Sequence, residues 1–269
     1  MGMSQLINEA SGLLASFTAE KNKVTAAVAA ALSAISMSRY YYVDAVLGND
    51  DNSGTSAAPF KTIKKAVDTI PVGGSGSVEL IPDQAHIIPY GKNIELINKR
   101  VAIVGKVDKA KPSITNESVY VPATNGVASS GFVLRNSILL FSYIKLKTSD
   151  RPEGYPDVQS NGSGIIVRQD LTSGYVAVFV CDVELGQTSF LRLPNGGSDI
   201  NFSAYSVVIS TPGTGKLVDL DSGVPIKASF ATMTLPAGVK LGDLIGNIVR
   251  DINGNPINIL CNVPLPATV

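Results

Sequence analysis

The chain has 269 residues, of which 45% are hydrophobic, enough for a proper core and too many for an intrinsically disordered protein. Lysine plus arginine balances aspartate plus glutamate at 22 each, so the whole chain carries no electrostatic footprint for nucleic acid or an anionic membrane. Charged residues make up only 16%, tryptophan is absent, and Gly, Ser, Thr, Asn and Val fall in short alternating runs, a composition that favours strands and turns.

Residues Ser4 to Ser38 are the exception. They hold no proline, a single glycine and many Ala, Leu, Glu and Lys, which predicts helix. Apolar residues follow a heptad frame, with Ile7, Leu14, Val28 and Ile35 at one core position and Ala10, Phe17, Val24 and Ala31 at the other. Only Lys21 breaks the stripe. A single apolar seam on so long a helix needs a partner, either further copies or a neighbouring protein, or the chain's own β-rich part. Val24 to Met37 is apolar but too short to span a bilayer. Met1 to Glu20 lacks the basic start of a signal peptide, so a soluble protein made in a cytoplasm is expected.

Composition changes at Arg39, which divides the chain into a helical stalk, 1–38, and a β-rich body, 39–269. Tyr40 to Val43 open the body in β-branched and aromatic style, and Gly48 to Pro59 carries every turn signal of a loop. Phe60 to Ile70 switches to helical spacing, with Ile63, Ala66, Val67 and Ile70 on one face, until Pro71 and Gly73 stop it. Beyond it the pattern predicts strands at Ser77–Ile81, Asn93–Ile97, Val101–Val104, Ser118–Val121, Gly131–Leu134 and Ser137–Lys147. More follow at Gly164–Arg168, Tyr175–Leu185, Ser189–Leu193, Ile200–Ile209, Lys216–Leu220, Ile226–Leu235 and Ile257–Val263. Thirteen short strands exceed a simple sandwich and suit solenoid coils of roughly 20 to 45 residues. Helical spacing returns at Leu241, Leu244, Ile245 and Ile248, before a turn at Asn253-Gly254.

The residues Tyr41-Tyr42-Val43-Asp44, Gly48-Asn49-Asp50, Ser53-Gly54, Pro59-Phe60, Thr62-Ile63 and Ala66-Val67 come in a telling order. About 30 residues long, this stretch resembles the start of pectate-lyase-like right-handed β-helix proteins, common among phage tailspikes and tail fibres. The resemblance implies a mainly β, right-handed parallel β-helix, with Phe60, Ile63, Ala66, Val67 and Ile70 capping its open end. A helical stalk before such a domain is similar to trimeric phage fibres. That likeness implies a homotrimer with Ile7, Leu14, Phe17, Val24, Val28 and Ile35 in the trimerisation seam.

Enzymatic relatives of that superfamily cleave polysaccharides with paired carboxylates, or with acids beside Arg or Lys. Asp219 with Asp221, Asp182 with Glu184, and the loop acids Asp150, Glu153 and Asp157 are the candidates, and solvated strand edges or loops explain each group more cheaply. His86 is the only histidine, which rules out a multi-histidine metal site within one chain and leaves a catalytic triad only this residue to use. It reads as a surface or core side chain. Thr211 to Lys216 ends in Gly-Thr-Gly-Lys, but Ser210 stands for the first Gly of a phosphate loop and Leu217 for its Ser or Thr, so this is a turn. Asp50, Asp51 and Asn52 lack the distal Glu of a calcium loop. Cys181 and Cys261 read as two buried free thiols. Tyr143, Tyr155 and Tyr175 could make a small sugar-stacking platform in a chain otherwise poor in aromatics.

The expectation is therefore a structural virion protein without cofactor or metal, a short trimeric tail fibre or spike. Its partners would be neighbouring tail or baseplate proteins, with host surface polysaccharide as a further contact and neither nucleic acid nor membrane. The rivals are a capsule- or lipopolysaccharide-degrading tailspike and a fibre that grips glycans without cutting them.

Overall fold

The computed structural model describes residues 2–34, 38–155, 164–167, 174–193, 200–220 and 225–265. The chain divides into two compact units, Met1–Met37 and Ser38–Val269. The first is a helix, α1 (Met3–Ala34), whose 32 residues run about 48 Å at the usual rise. Ile7, Leu14, Phe17 and Val24 are 59%, 66%, 71% and 61% exposed on it. The side chains of Ala10, Val28 and Ala31, and all of Ile35, lie outside the described residues.

The second unit opens with β1 (Ser38–Val43), α2 (Ile63–Thr69), β2 (Ser75–Leu80), β3 (Ala85–Ile88), β4 (Ile94–Ile97), β5 (Arg100–Val104), β6 (Ser113–Asn116) and β7 (Ser118–Val121). It continues through β8 (Gly126–Ser129), β9 (Phe132–Arg135), β10 (Ser137–Ser142), β11 (Lys145–Lys147), β12 (Gly164–Val167), β13 (Gly174–Phe179) and β14 (Asp182–Glu184). Last come β15 (Ser189–Leu193), β16 (Ile200–Tyr205), β17 (Val208–Ser210), β18 (Val218–Leu220), β19 (Ile226–Ala231), β20 (Ile245–Gly246) and β21 (Ile259–Cys261).

Three sheets take up these strands in rotation. An eight-stranded sheet is ordered β1-β2-β5-β10-β13-β16-β19-β21, a five-stranded one β3-β6-β11-β14-β17, and a six-stranded one β4-β9-β12-β15-β18-β20. Every strand pair within them is parallel, and from β2 to β18 the chain visits the three sheets in that order on each pass; β1 and β2 are successive strands of the eight-stranded sheet, and β19 is followed by β20 of the six-stranded one. Passes differ in length, since Ser75 pairs with Arg100 but Arg100 pairs with Ile138, the longer step admitting the antiparallel pair β7–β8. The body is thus mainly β with parallel sheets, and side chains alternate inward and outward along strands such as β2, β10 and β16.

Four runs expected as single strands are instead bent around one residue of positive φ: Tyr143 at 56°, Val180 at 51°, Ser206 at 51° and Thr232 at 55°. Ser137–Lys147 becomes β10 and β11, Tyr175–Leu185 becomes β13 and β14, and Ile200–Ile209 becomes β16 and β17. Ile226–Leu235 becomes β19 followed by a parallel bridge from Thr234 to Val208. Three of the corners keep their backbone paired, the N–H groups of Tyr143, Val180 and Ser206 donating to Phe179, Tyr205 and Ala231 at 3.3, 3.0 and 3.1 Å. A left-handed conformation is costly for a β-branched residue. Val180→Asn is accordingly expected to raise the unfolding free energy by about 1 kcal/mol in a denaturant titration; a loss of stability would mean that packing of the valine outweighs the backbone strain.

Three four-residue strands escape the sequence pattern, β3, β6 and β8. The helical spacing at Leu241–Leu244 yields a 3₁₀ turn, and Ile245 joins β20 as the edge of the six-stranded sheet.

The core holds a column of rings, Phe132, Phe141, Phe190, Phe202 and Phe230, with successive centroids 5.3, 6.4, 6.1 and 5.8 Å apart. At the N-terminal end of the body, Phe60, Ile63, Ala66, Val67 and Ile70 are all buried. Asp50 sets the entry to α2: its carboxylate accepts from Lys61 N and Thr62 N at 2.9 Å and from Thr62 Oγ1 at 2.8 Å. Thr62 Oγ1 in turn accepts from Lys65 N at 3.1 Å as the N-cap. The far end of α2 is held by Lys99, buried at 7% exposure, whose ammonium donates to Val67 O at 2.8 Å. Burial pushes the Lys99 ammonium below the ordinary lysine range, with nearby Asp68 opposing. Lys99→Met removes the charged donor from that carbonyl and leaves it the Ile70 N–H at 3.2 Å, and a loss of about 1 kcal/mol in the same titration is expected; no change would mean that the contact contributes nothing to the cap.

Candidate functional site

A polar groove of about 730 Å³ runs beside the six-stranded sheet, lined by Arg151, Gln187, Arg192, Lys216, Asp219 and Asn247 among others. Its centre is an ion pair. Arg192 on β15 lies opposite Asp219 on β18 in the parallel register. Because Leu191, Leu193, Val218 and Leu220 point into the core, the two charged residues between them point out. Arg192 Nη1 donates to Asp219 Oδ2 at 2.6 Å, with the two side chains only 20% and 15% exposed. Ser189 Oγ donates to the same oxygen at 3.3 Å, and Asn247 Nδ2 donates to Oδ1 at 3.2 Å. Gly246 belongs here for a steric reason: a Cβ at that position would stand 2.8 Å from Asp219 Oδ1. Lys216 spans the groove, its ammonium 2.7 Å from Asp243 O.

Both oxygens of Asp219 are thus engaged by donors, which holds the carboxylate in one orientation against the sheet. What the groove offers a ligand is a set of polar and cationic side chains on a rigid floor, suited to hydroxylated or anionic groups. Sequence reasoning singled out Asp219 with Asp221, but Asp221 lies outside the described residues. It missed Arg192, whose partner is 27 residues away in sequence and adjacent only through register.

Asp182 and Glu184, the second expected pair, are engaged by lysines. Asp182 Oδ1 is 2.7 Å from Lys111 Nζ, and Glu184 is held by Lys145 and Lys147 at 2.7 and 2.8 Å. Hydrogen bonds from Lys145 and Lys147 keep the Glu184 carboxyl below the usual range, while its own hydrogen bond raises the Lys147 ammonium. In the third group, the backbone carbonyl of Asp150 accepts from Ser118 Oγ, and Asp157 lies outside the described residues. Lys216, at the end of the Gly-Thr-Gly-Lys segment, leads into β18 and not into a helix. Gly215 there approaches so closely that a Cβ would stand 2.1 Å from Thr188 O. Among the described residues no group of three or more His, Cys, Asp or Glu could hold a metal ion.

Tyr143 turns a corner, Tyr175 faces out from β13, and Tyr155 stacks on Tyr120 with centroids 3.8 Å apart, so no ring contact joins the three tyrosines among the described residues. Cys181 is free and buried, its thiol pushed up to about 11 by burial. Cys261 is free but only half-buried, which corrects the expectation of two buried thiols.

Comparison with known proteins adds little to this geometry. No protein-family model matches the chain. No curated protein matches it either. A solved structure similar to it is a rhamnogalacturonan lyase. The likeness has a TM-score of 0.38 and 12% identity, covering 84% of this chain and 65% of the lyase. This chain therefore spans just under two thirds of that protein, and a likeness of this strength carries no argument about activity. The functional reading rests on the chain's own residues.

Proposed function

We propose that the chain is a structural virion protein, the subunit of a short trimeric tail fibre or spike, made in the host cytoplasm and carried on a phage tail. In this reading the three-sheet body is a right-handed parallel β-helix capped by α2, and α1 is one strand of a helical bundle that joins neighbouring tail or baseplate proteins. The observation that carries it is the exposed row Ile7, Leu14, Phe17 and Val24 on a 32-residue helix. An apolar seam of that length is stable in water only against a partner. The body that follows it in sequence supports the same view, since stacked parallel strands resist deformation and suit a load-bearing part.

Mass in solution tests the proposal. The expected value is three times the 28.1 kDa chain mass, and a monodisperse monomer that keeps its helix overturns it. Phe17→Asp sets three carboxylates into the seam and is expected to dissociate the assembly, at a cost of several kcal/mol per trimer, on the order of that for buried unpaired charge.

The rival reading, a polysaccharide-degrading spike, needs a carboxyl group able to exchange a proton. Asp219 is committed to Arg192, Ser189 and Asn247, and Glu184 to two lysines. The groove suits contact with host surface glycan without cleavage. Release of reducing ends or unsaturated sugars from host capsule would reverse this ranking.

A further inference from the structure

The outward faces of the three sheets differ in kind. The five-stranded sheet presents the ion-paired Lys145, Lys147, Asp182 and Glu184, and the six-stranded sheet presents Arg192 with Asp219. On the eight-stranded sheet, β10, β13 and β16 contain no charged residue at all. In register, Leu140 lies beside Ala177 and Ala177 beside Ser203 along the centre of this face. Tyr175 and Phe179 stand at its two margins on β13, and Asn201 and Tyr205 hold the same places on β16. Tyr205 is 50% exposed.

We infer that the outward face of the eight-stranded sheet is the surface on which copies of this chain pack against one another in the trimer. The inference rests on the trimeric reading above and names the body surface that such a trimer would bury. Its support is complementarity between the two margins. A rotation axis running along the strand stack keeps every strand level with its copies, so the margin that begins each strand meets the margin that ends it in the neighbour. Tyr175 of one copy then meets Phe179 of the next, ring against ring, and Asn201 meets Tyr205.

One pair of charges follows the same rule, whereas Lys227 on the first margin of β19 lies across from Ala231. Arg100 lies on the first margin and is exposed, with no ion pair among the described residues. Glu79, which accepts from Tyr40 Oη at 2.5 Å, lies on the other margin one strand away. Four residues separate the two margins along a strand, about 13 Å at 3.3 Å per residue, so Arg100 and Glu79 cannot pair within one chain and face each other only between chains.

Area sets the scale of the contact. Eight strands at about 4.8 Å spacing and five residues at about 3.3 Å make a face on the order of 600 Å². Each copy shares that face between two neighbours, about 300 Å² apiece, below the ~800 Å² per partner of a stable pairwise interface, so the face adds to an association that also draws on α1.

Disulfide trapping tests the inference in the full chain. Tyr175→Cys and Phe179→Cys are combined with Cys261→Ser; the two new thiols are too far apart on one strand to bridge each other, since a disulfide needs Cα atoms within about 7 Å. Oxidation is expected to give a covalent trimer on a denaturing gel that collapses to monomer with reductant. Trimeric mass with no cross-link overturns the inference and leaves the trimeric reading standing. Monomeric mass overturns both. Trimeric mass without cross-link, together with loss of host-polysaccharide binding in Tyr175→Ala, assigns the face to a glycan and also overturns it. As a second measurement, Arg100→Glu is expected to raise the trimer dissociation constant about tenfold, and Glu79→Arg in the same chain to restore it. An unchanged constant in Arg100→Glu, with the β signal in circular dichroism retained, counts against the inference.

Discussion

Phe190→Ala is expected to lower the unfolding free energy of the chain by about 4 kcal/mol. Phe190 has no exposed surface and stands in the middle of the ring column, 6.4 Å from Phe141 and 6.1 Å from Phe202. Removing it forfeits burial of a large ring and the edge and tilted contacts to two neighbours, and opens a cavity in a core walled by paired strands. Such walls cannot collapse, because each strand is pinned on both sides by parallel pairing, as β15 is by β12 and β18. The measurement is the shift in denaturation midpoint at unchanged slope. A loss below about 1 kcal/mol would mean that the body can repack around the gap, contrary to the rigidity described here.

Acidification is expected to be the second large effect, through His86. This imidazole is 5% exposed on β3, and its Nε2 has no hydrogen-bond partner. Burial pushes its pKa down to about 4, against the opposing attraction of Asp44. In the unfolded chain the same group titrates near 6.5. Between those two values the unfolded chain binds more protons than the folded one, so stability rises with pH across that window and is lost as pH falls through it. The full effect, reached at about pH 4, is about 3 kcal/mol. Asp44 acts in the same direction. Burial pushes its carboxyl up, but hydrogen bonds from Leu47 N, Gln84 Nε2 and Val46 N outweigh that and hold it below the ordinary value, so acid also removes the stability it contributes. Denaturant titrations of the parent chain and of His86→Leu separate the two groups. The parent is expected to lose about 3 kcal/mol more than the variant between pH 7 and 4, and parallel curves would remove His86 from the account.

The sequence by itself determined the local pieces of this protein. Helix formers without proline make α1, and the Asp50 loop with Thr62 sets the start of α2. Alternating β-branched residues make most of the strands, because these preferences act over a few neighbouring residues. It also carried a trace of the corners, since inward residues step by three across each of them, from Phe141 to Ile144, Val178 to Cys181 and Ala204 to Val207. That trace carries no local turn signal, because Tyr143 and Val180 are poor turn residues and the backbone of Tyr143, Val180 and Ser206 is satisfied by the next strand rather than by a local turn. Tertiary structure alone decided what faces what. Register brings Arg192 to Asp219 and Lys99 reaches back to Val67, while the rotation among three sheets gathers the uncharged strands β10, β13 and β16 on one face. Passes of unequal length, such as Ser75 to Arg100 and Arg100 to Ile138, keep strand neighbours at no fixed sequence spacing. The groove and the apolar face follow from strand pairing, and pairing is set by the energy of the whole stack rather than by any one segment.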